Sequence, residues 1–209
     1  MKNLNPFTSS SIVRSAAAVL LGLAATLAGC SRTDAPAPGA TASSGSSSTP
    51  ATTPYEQVAQ QGRGFTVGAM MSANTIYVLF DPQCPHCGHL WRQTLPLQKK
   101  VKFVWVPITL MNPKSAPQGA ALIMAANPVE LMNAHEDSLL AGTGGISASA
   151  DVPADIAQAI KGNTQLFNNL RGESVPMIVA KHAATGTPIT HNGAMDTAAL
   201  AAFLGVAAP

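Results

Sequence analysis

Apolar positions along the chain fall into three regimes. Ala16 to Ala28 is an apolar run without charge, Ser31 to Pro54 is almost wholly Ser, Thr, Ala, Pro and Gly, and from Tyr55 onward short apolar runs alternate with helix-length amphipathic stretches. The third regime has the grammar of an α/β layered domain. Tyr55–Gln61 predicts a short helix, and Gly68–Ser72 leads into Thr75–Phe80, whose β-branched and aromatic content predicts a buried central strand. A helix is expected from Cys84 to about Leu95. Pro85 is acceptable in its first turn, where no N–H is missed, and Pro96 ends or kinks it. Val101–Ile108 is the next strand. Ala-rich helices follow at Pro117–Ala126 and Val129–Leu139, then a Gly-Thr-Gly-Gly loop and two helices around Pro153–Ile160 and Thr164–Leu170. Val175-Pro176 opens a strand over Met177–Lys181, a turn at Gly186 leads to a strand over Pro188–His191, and Asp196 caps a last helix, Thr197–Leu204.

Length and charge narrow this picture. The 209 residues leave room for one domain of ordinary size, taken as 55–209, once the two N-terminal regimes are set aside. Lys and Arg total 12 against 10 Asp and Glu, but Lys2 and Arg14 precede Cys30 and no acid does, so the part from Cys30 on has a formal net charge of zero. Aromatic residues make up 5% of the chain and Lys99-Lys100-Val101-Lys102 is its one basic cluster, which argues against a nucleic-acid partner.

Lys2 and Arg14 form a basic n-region ahead of the apolar run, and Leu27-Ala28-Gly29-Cys30 closes it with small residues. This resembles a bacterial lipobox. The resemblance implies a signal peptide over 1–29, cleavage before Cys30, lipidation of its thiol, and a membrane anchor facing the periplasm. Ser31 at the second mature position implies the outer membrane. The 15 uncharged residues from Ser15 to Gly29 fall short of the roughly 20 needed to span a bilayer. The following segment, 30–54, reads as a disordered tether whose 24 residues after Cys30 have a coil span of roughly 27 Å and reach up to about 80 Å.

The most informative chemistry is Cys84-Pro85-His86-Cys87, placed where an apolar strand turns into a helix. A thiol at a helix N-terminus feels unpaired N–H groups and the positive end of the helix dipole, both of which favour thiolate. Cys84 is then the nucleophile, and Cys87, one turn on, is placed to attack a mixed disulfide on Cys84. His86 beside the attacking sulfur favours its thiolate further. The same spacing also serves other chemistry. Haem attachment requires His directly after the second Cys, where Gly88 stands. A structural zinc site requires four ligands, usually with a second Cys pair. A soft-metal site, with copper held by Cys84, Cys87 and a histidine, stays open as a metallochaperone alternative. An inert structural disulfide would close almost no loop.

Phe80-Asp81-Pro82-Gln83-Cys84-Pro85-His86-Cys87, a helical insertion at about 111–170, and Glu173-Ser174-Val175-Pro176-Met177-Ile178-Val179 together resemble the catalytic domain of bacterial DsbC/DsbG thiol-disulfide isomerases, from roughly Thr75 to Val206. The resemblance implies a thioredoxin-like fold and an exchange enzyme with no cofactor beyond a redox-active Cys84–Cys87 disulfide and no bound metal. It also implies a cis Pro176 facing that pair, with the backbone of Val175 offered to a substrate strand. The partners it implies are exported proteins carrying thiols or disulfides and a membrane redox partner. Pro85-His86 and a Val before the cis-proline are shared with the DsbA oxidase, so an oxidase remains the alternative direction. The carboxylate that thioredoxin and DsbA place six residues before the nucleophile is replaced by Val78, and Asp81 matches an Asp of the DsbG branch. DsbC and DsbG also carry an N-terminal dimerisation domain. Tyr55–Asn74 is too short to form one, so a monomer is expected. His89 is expected on a solvated helix face, and His135, His182 and His191 at surface or loop positions.

Overall fold

Thr75–Phe80 (β2) runs through the centre of a five-stranded sheet, with Ile76, Val78, Leu79 and Phe80 buried and Thr75 and Tyr77 half-buried. The computed structural model describes residues 52–209, so Cys30, the lipobox and most of the tether lie outside the described residues. The sheet order is β1 (Phe65–Gly68), β3 (Lys102–Pro107), β2, β4 (Met177–Lys181), β5 (Pro188–Asn192). β2 and β3 are parallel, with Val78 beside Trp105. The other pairs are antiparallel, and Leu79 sits opposite Met177. Two parallel neighbours need a crossover, supplied by α2 (Pro85–Thr94) and a 3₁₀ turn over Leu95–Leu97 where Pro96 breaks the helix.

Alternation along the strands divides the core into two layers. On one face Ile76, Val78 and Phe80 pack with Phe103, Trp105, Ile178 and Ala180 against Leu90 and Trp91 of α2 and Leu200 and Leu204 of α6 (Thr197–Leu204). On the other, Leu79, Val106 and Val179 meet Val58 of α1 (Pro54–Gln61) and Leu166 and Phe167 of α5 (Ala154–Asn169). Edge-to-face ring pairs run Phe65–Phe80–Trp105–Trp91, with centroids 5.2 to 6.1 Å apart, and so stitch three strands to α2. Each such pair is worth about 1 kcal/mol beyond its buried area.

Most predicted elements form within a residue or two of their expected limits. α1 starts on a capping box between Thr53 and Glu56, and α6 on Asp196, whose carboxylate accepts the Ala199 N–H at 2.7 Å. Two expectations need correction. The helices around Pro153–Ile160 and Thr164–Leu170 are one helix, α5, which runs through Gly162 because Asn163 is fully buried and fully bonded. Its amide donates to Arg63 O and Pro107 O and accepts the Arg63 N–H. The strand β1, at the sheet edge, was not expected from the sequence. Between β3 and β4 stand α3 (Ser115–Met124), α4 (Pro128–Leu140) and α5. α4 packs on α2, tied by a 2.7 Å hydrogen bond from the Trp91 indole to Asn133.

Candidate active site

β2 delivers the chain to α2 through Asp81, and the junction is fixed by that one carboxylate. Asp81 is completely buried. Its Oδ1 accepts from the Gln83 N–H (2.8 Å) and the Ser115 hydroxyl (2.7 Å), and its Oδ2 accepts from the N–H groups of Leu110 (2.6 Å) and Met111 (2.9 Å). Four donors on a buried carboxylate leave it structurally satisfied, so Asp81 holds the loop after β3 against the start of α2. The Gln83 side chain extends the clasp: its amide donates to Gln118 of α3 and to Gly144 O, and it accepts from Asn112.

Cys84 follows in extended conformation as the N-cap of α2, with Pro85 at the first helical position. Only 4% of Cys84 is exposed and none of Cys87, whereas Pro85 and His86 face solvent. Both cysteines are unbridged thiols. The Cys84 thiol is lowered to about 6, first by a hydrogen bond from the Cys87 thiol. The N–H groups of Cys87 and His86 and the charge of His86 assist, against desolvation, which pushes the other way. Thus His86 contributes as the sequence suggested, but the larger influence is the second cysteine. Burial, together with the neighbouring Cys84 sulfur, holds the Cys87 thiol well above its ordinary value. The pair is therefore asymmetric, with one sulfur poised as thiolate and the other kept protonated.

The opposite wall is the turn into β4. The Val175–Pro176 peptide bond is cis, and the Val175 carbonyl accepts from the Cys84 thiol at 3.7 Å. Val175 is partly buried and Pro176 buried, and the registered ladder between β4 and β5 begins one residue later, at Met177 with Asn192. Residues far apart in sequence, Cys84, Cys87, Val175 and Pro176, thus meet at one end of the sheet.

Two further groups at this site were not foreseen. His135, expected at the surface, is fully buried on α4. Its Nδ1 accepts the Ile146 N–H at 3.2 Å, which leaves the proton on Nε2 to donate to Pro82 O at 2.7 Å, and burial lowers its pKa. Glu136, next on the same helix, is also fully buried, yet neither carboxylate oxygen has a hydrogen-bond partner. Burial raises it to about 8, assisted by the charge of Cys84. Both lie on the stripe made by Met132, His135, Glu136 and Leu139, the i, i+3, i+4 and i+7 positions of one helix face, which puts two polar residues on a core-facing side. His86 and His89, with ring centroids 6.4 Å apart, are both exposed on α2. Among the described residues no three His, Cys, Asp or Glu side chains gather closely enough to hold a metal ion.

No protein-family model matches the chain. The thiol:disulfide interchange protein DsbG of Pseudomonas aeruginosa is 26% identical over 151 residues, which is 71% of this chain and 58% of that protein, so the chain spans well under two thirds of its relative. Among solved structures, the catalytic domain of Proteus mirabilis ScsC superposes with a TM-score of 0.55 at 15% identity, covering 72% of this chain and 96% of that one. The thiol-disulfide exchange protein α-DsbA2 of Wolbachia pipientis gives 0.54 at 16%, covering 72% and 94%. A periplasmic thioredoxin-like protein of Salmonella enterica serovar Typhimurium gives 0.54 at 15%, covering 72% and 93%. These structures share the fold: residues 52–209 form a thioredoxin-fold domain, similar in sequence to the thiol:disulfide interchange protein DsbG.

Proposed function

We propose that this chain is an envelope thiol-disulfide oxidoreductase, a DsbG-like lipoprotein that exchanges disulfides with exported proteins. The observation that carries this reading is the unequal pair: a Cys84 thiol lowered to about 6 at the start of α2, facing Val175, with a protonated Cys87 buried behind it. The Cys84 thiolate attacks one sulfur of a client disulfide. A bond forms between Cys84 and that sulfur, and the client's other sulfur leaves as thiolate. Cys87 then loses its proton and attacks Cys84, closing the Cys84–Cys87 disulfide and releasing the client as a dithiol. Oxidation of a client runs through the same steps in reverse. The backbone beside Val175 and Pro176, just outside the sheet ladder, is suited to hold an extended client strand. The lipidated Cys30 and the tether, read from the sequence, place this chemistry on the periplasmic side of a bacterial membrane, with a membrane protein to reset the pair.

A specific observation favours the oxidase direction as a second reading. A Cys84 thiol held well below its ordinary value stabilises the reduced pair, which makes the disulfide form the more oxidising.

Both readings are tested by trapping. A Cys87→Ala chain expressed in the envelope should accumulate Cys84-linked adducts on non-reducing gels that dithiothreitol removes, and Cys84→Ser should abolish them. Absence of adducts under oxidising growth overturns the exchange function. The resting state of the wild-type pair, fixed by acid quench and alkylation with a heavy maleimide, then separates the directions: mostly oxidised for an oxidase, mostly reduced for an isomerase or reductase.

A further inference from the structure

Thiol exchange as proposed above requires Cys87 to shed a proton from a position with no solvent exposure. Water cannot serve it directly, so an acceptor inside the fold is needed. We propose that Glu136 of α4 is that acceptor, taking the Cys87 proton when Cys87 attacks the mixed disulfide and returning it when the reaction runs backward.

The geometry is a fitted contact between two helices. Glu136 has no exposed surface, and its two oxygens find no donor in the protein. A buried carboxylate left unbonded is costly and rare, unlike Asp81 nearby with its four donors. Its carboxylate lies against Gly88, the residue directly after Cys87, so closely that a Cβ at that position would overlap Glu136 Oε2 and come within 3.3 Å of Leu140. Glycine inside a helix costs about 1 kcal/mol relative to alanine. Here the missing side chain is what admits the carboxylate to the turn of α2 that carries Cys87. A proton acceptor must be within hydrogen-bond reach, directly or through one water; with the pair reduced, the Cys87 thiol bonds to Cys84 and both Glu136 oxygens stay unpartnered, so the bond from Cys87 to Glu136 has to form once Cys84 is held in the mixed disulfide.

The surrounding charges fit the role. Cys84, Cys87 and Arg92 of α2 and Asp137 of α4 are the titratable groups that bear on Glu136. The other elements packed on α4, β1 and α3, carry no titratable side chain. Burial favours a protonated Glu136, assisted by the Cys84 thiolate. Once Cys84 is tied into a mixed disulfide that negative charge is gone, and the carboxylate form becomes easier to reach at the step that needs a base. The balance is complete. Cys87 S–H gives its proton to Glu136, the Cys87 sulfur bonds to Cys84, and the electron pair of the broken bond leaves with the client sulfur. The Cys pair loses two electrons and the client disulfide gains them.

The test follows resolution of a defined intermediate in the full-length protein. Reduced chain is mixed with oxidised glutathione, quenched with acid at intervals, and the Cys84–glutathione adduct quantified by mass spectrometry from pH 6 to 9.5. In Glu136→Gln the adduct should persist at pH 7, with resolution slowed about 100-fold or more, the lower end of what a positioned base contributes. The deficit should shrink as pH rises and the Cys87 thiol ionises without a partner. A purely structural defect would instead slow resolution by a factor independent of pH, and this outcome, or resolution at the wild-type rate, overturns the proposal. If no adduct forms on wild-type Cys84, the exchange function falls as well. That failure differs from adducts that form and resolve normally in the variant, which removes only the role of Glu136. Carbon-13 titration of the Glu136 carboxyl in the unmutated protein needs no variant to fold. It should titrate near 8 when the pair is reduced and move downward when Cys84 alone is alkylated. A carboxyl that titrates in the ordinary range in both states overturns the proposal too.

Discussion

Asp81 and Glu136 are both carboxylates without exposed surface, both packed near the start of α2, and their neighbours treat them in opposite ways. Asp81 receives four hydrogen bonds from two loops and the start of α3, while Glu136 receives none and is held against a glycine. The first is a structural clamp whose charge is balanced by donors. The second stores an unfavourable charge that the fold tolerates by holding it protonated. Burial alone therefore does not distinguish a structural acid from a chemical one. The number of donors aimed at it does.

The largest effect that would break this contrast is on stability at Asp81. Asp81→Ala leaves three backbone N–H groups and the Ser115 hydroxyl facing a void, each at a cost of about 1–3 kcal/mol. The variant should lose on the order of 4 kcal/mol or more in denaturant unfolding, across the neutral range. A loss below about 1 kcal/mol would mean that the loop bonds are made equally well without the carboxylate.

Glu136→Gln should move stability the other way, by an amount that grows as pH rises from about 4.5 to 8. A carboxyl raised to about 8 in the fold, above the ordinary value of 4.5, carries no penalty below pH 4.5, where both states are protonated. As pH rises toward 8 the unfolded chain has released the proton and the folded one has not, so wild-type stability falls, by roughly 3–6 kcal/mol in all. The glutamine variant lacks this loss. It should match wild type near pH 5 and exceed it by a growing margin up to about pH 8.5. Measurement on the Cys84-alkylated protein should shrink the margin, because the Cys84 charge is one of its causes. A margin that does not change with pH would show Glu136 to be ordinarily ionised.

The contrast also explains what could be read from the sequence. β2, β3 and β4 were legible because buried strands need continuous apolar runs, and α6 because Asp196 announces its own cap. The position of Cys84 at the start of α2 was legible because an apolar strand run stops at a compact Cys-x-x-Cys motif, whereas the cis bond at Val175-Pro176 was expected only through the family resemblance. β1 was not, since only Phe65 and Val67 alternate in a four-residue edge strand. α5 was read as two helices because Gly162-Asn163 looks like a break. Only the tertiary bonds of Asn163 to Arg63 and Pro107 show why the helix continues. Asp81 was noticed, but its four donors come from residues 2 to 34 positions away. Glu136 and His135 did leave a trace, two polar residues on the apolar stripe of α4, and Gly88 inside α2 left the complementary one. Neither trace says which helix meets which, and that pairing is what gives Glu136 its chemistry.

The smallest predicted effect isolates the electrostatic part of the contrast. Arg92 of α2 pairs with Asp137 at 2.8 Å on the surface, with side chains 49% and 71% exposed, so the ion pair itself should matter little to stability. Arg92→Ala is expected to change unfolding free energy by no more than about 1 kcal/mol. Yet Arg92 is the one cation that favours the ionised form of Glu136, and its removal leaves burial, the Cys84 charge and Asp137 acting together in the opposite sense. The Glu136 carboxyl should therefore titrate higher in Arg92→Ala than in wild type, by carbon-13 chemical shift, while the amide signal of Gln83, bonded to Asp81, stays where it was. Movement of both signals would mean that the substitution repacked α2 as a whole. Movement of Glu136 alone would place the unbonded carboxylate under the control of charges on the same helix that carries the two cysteines.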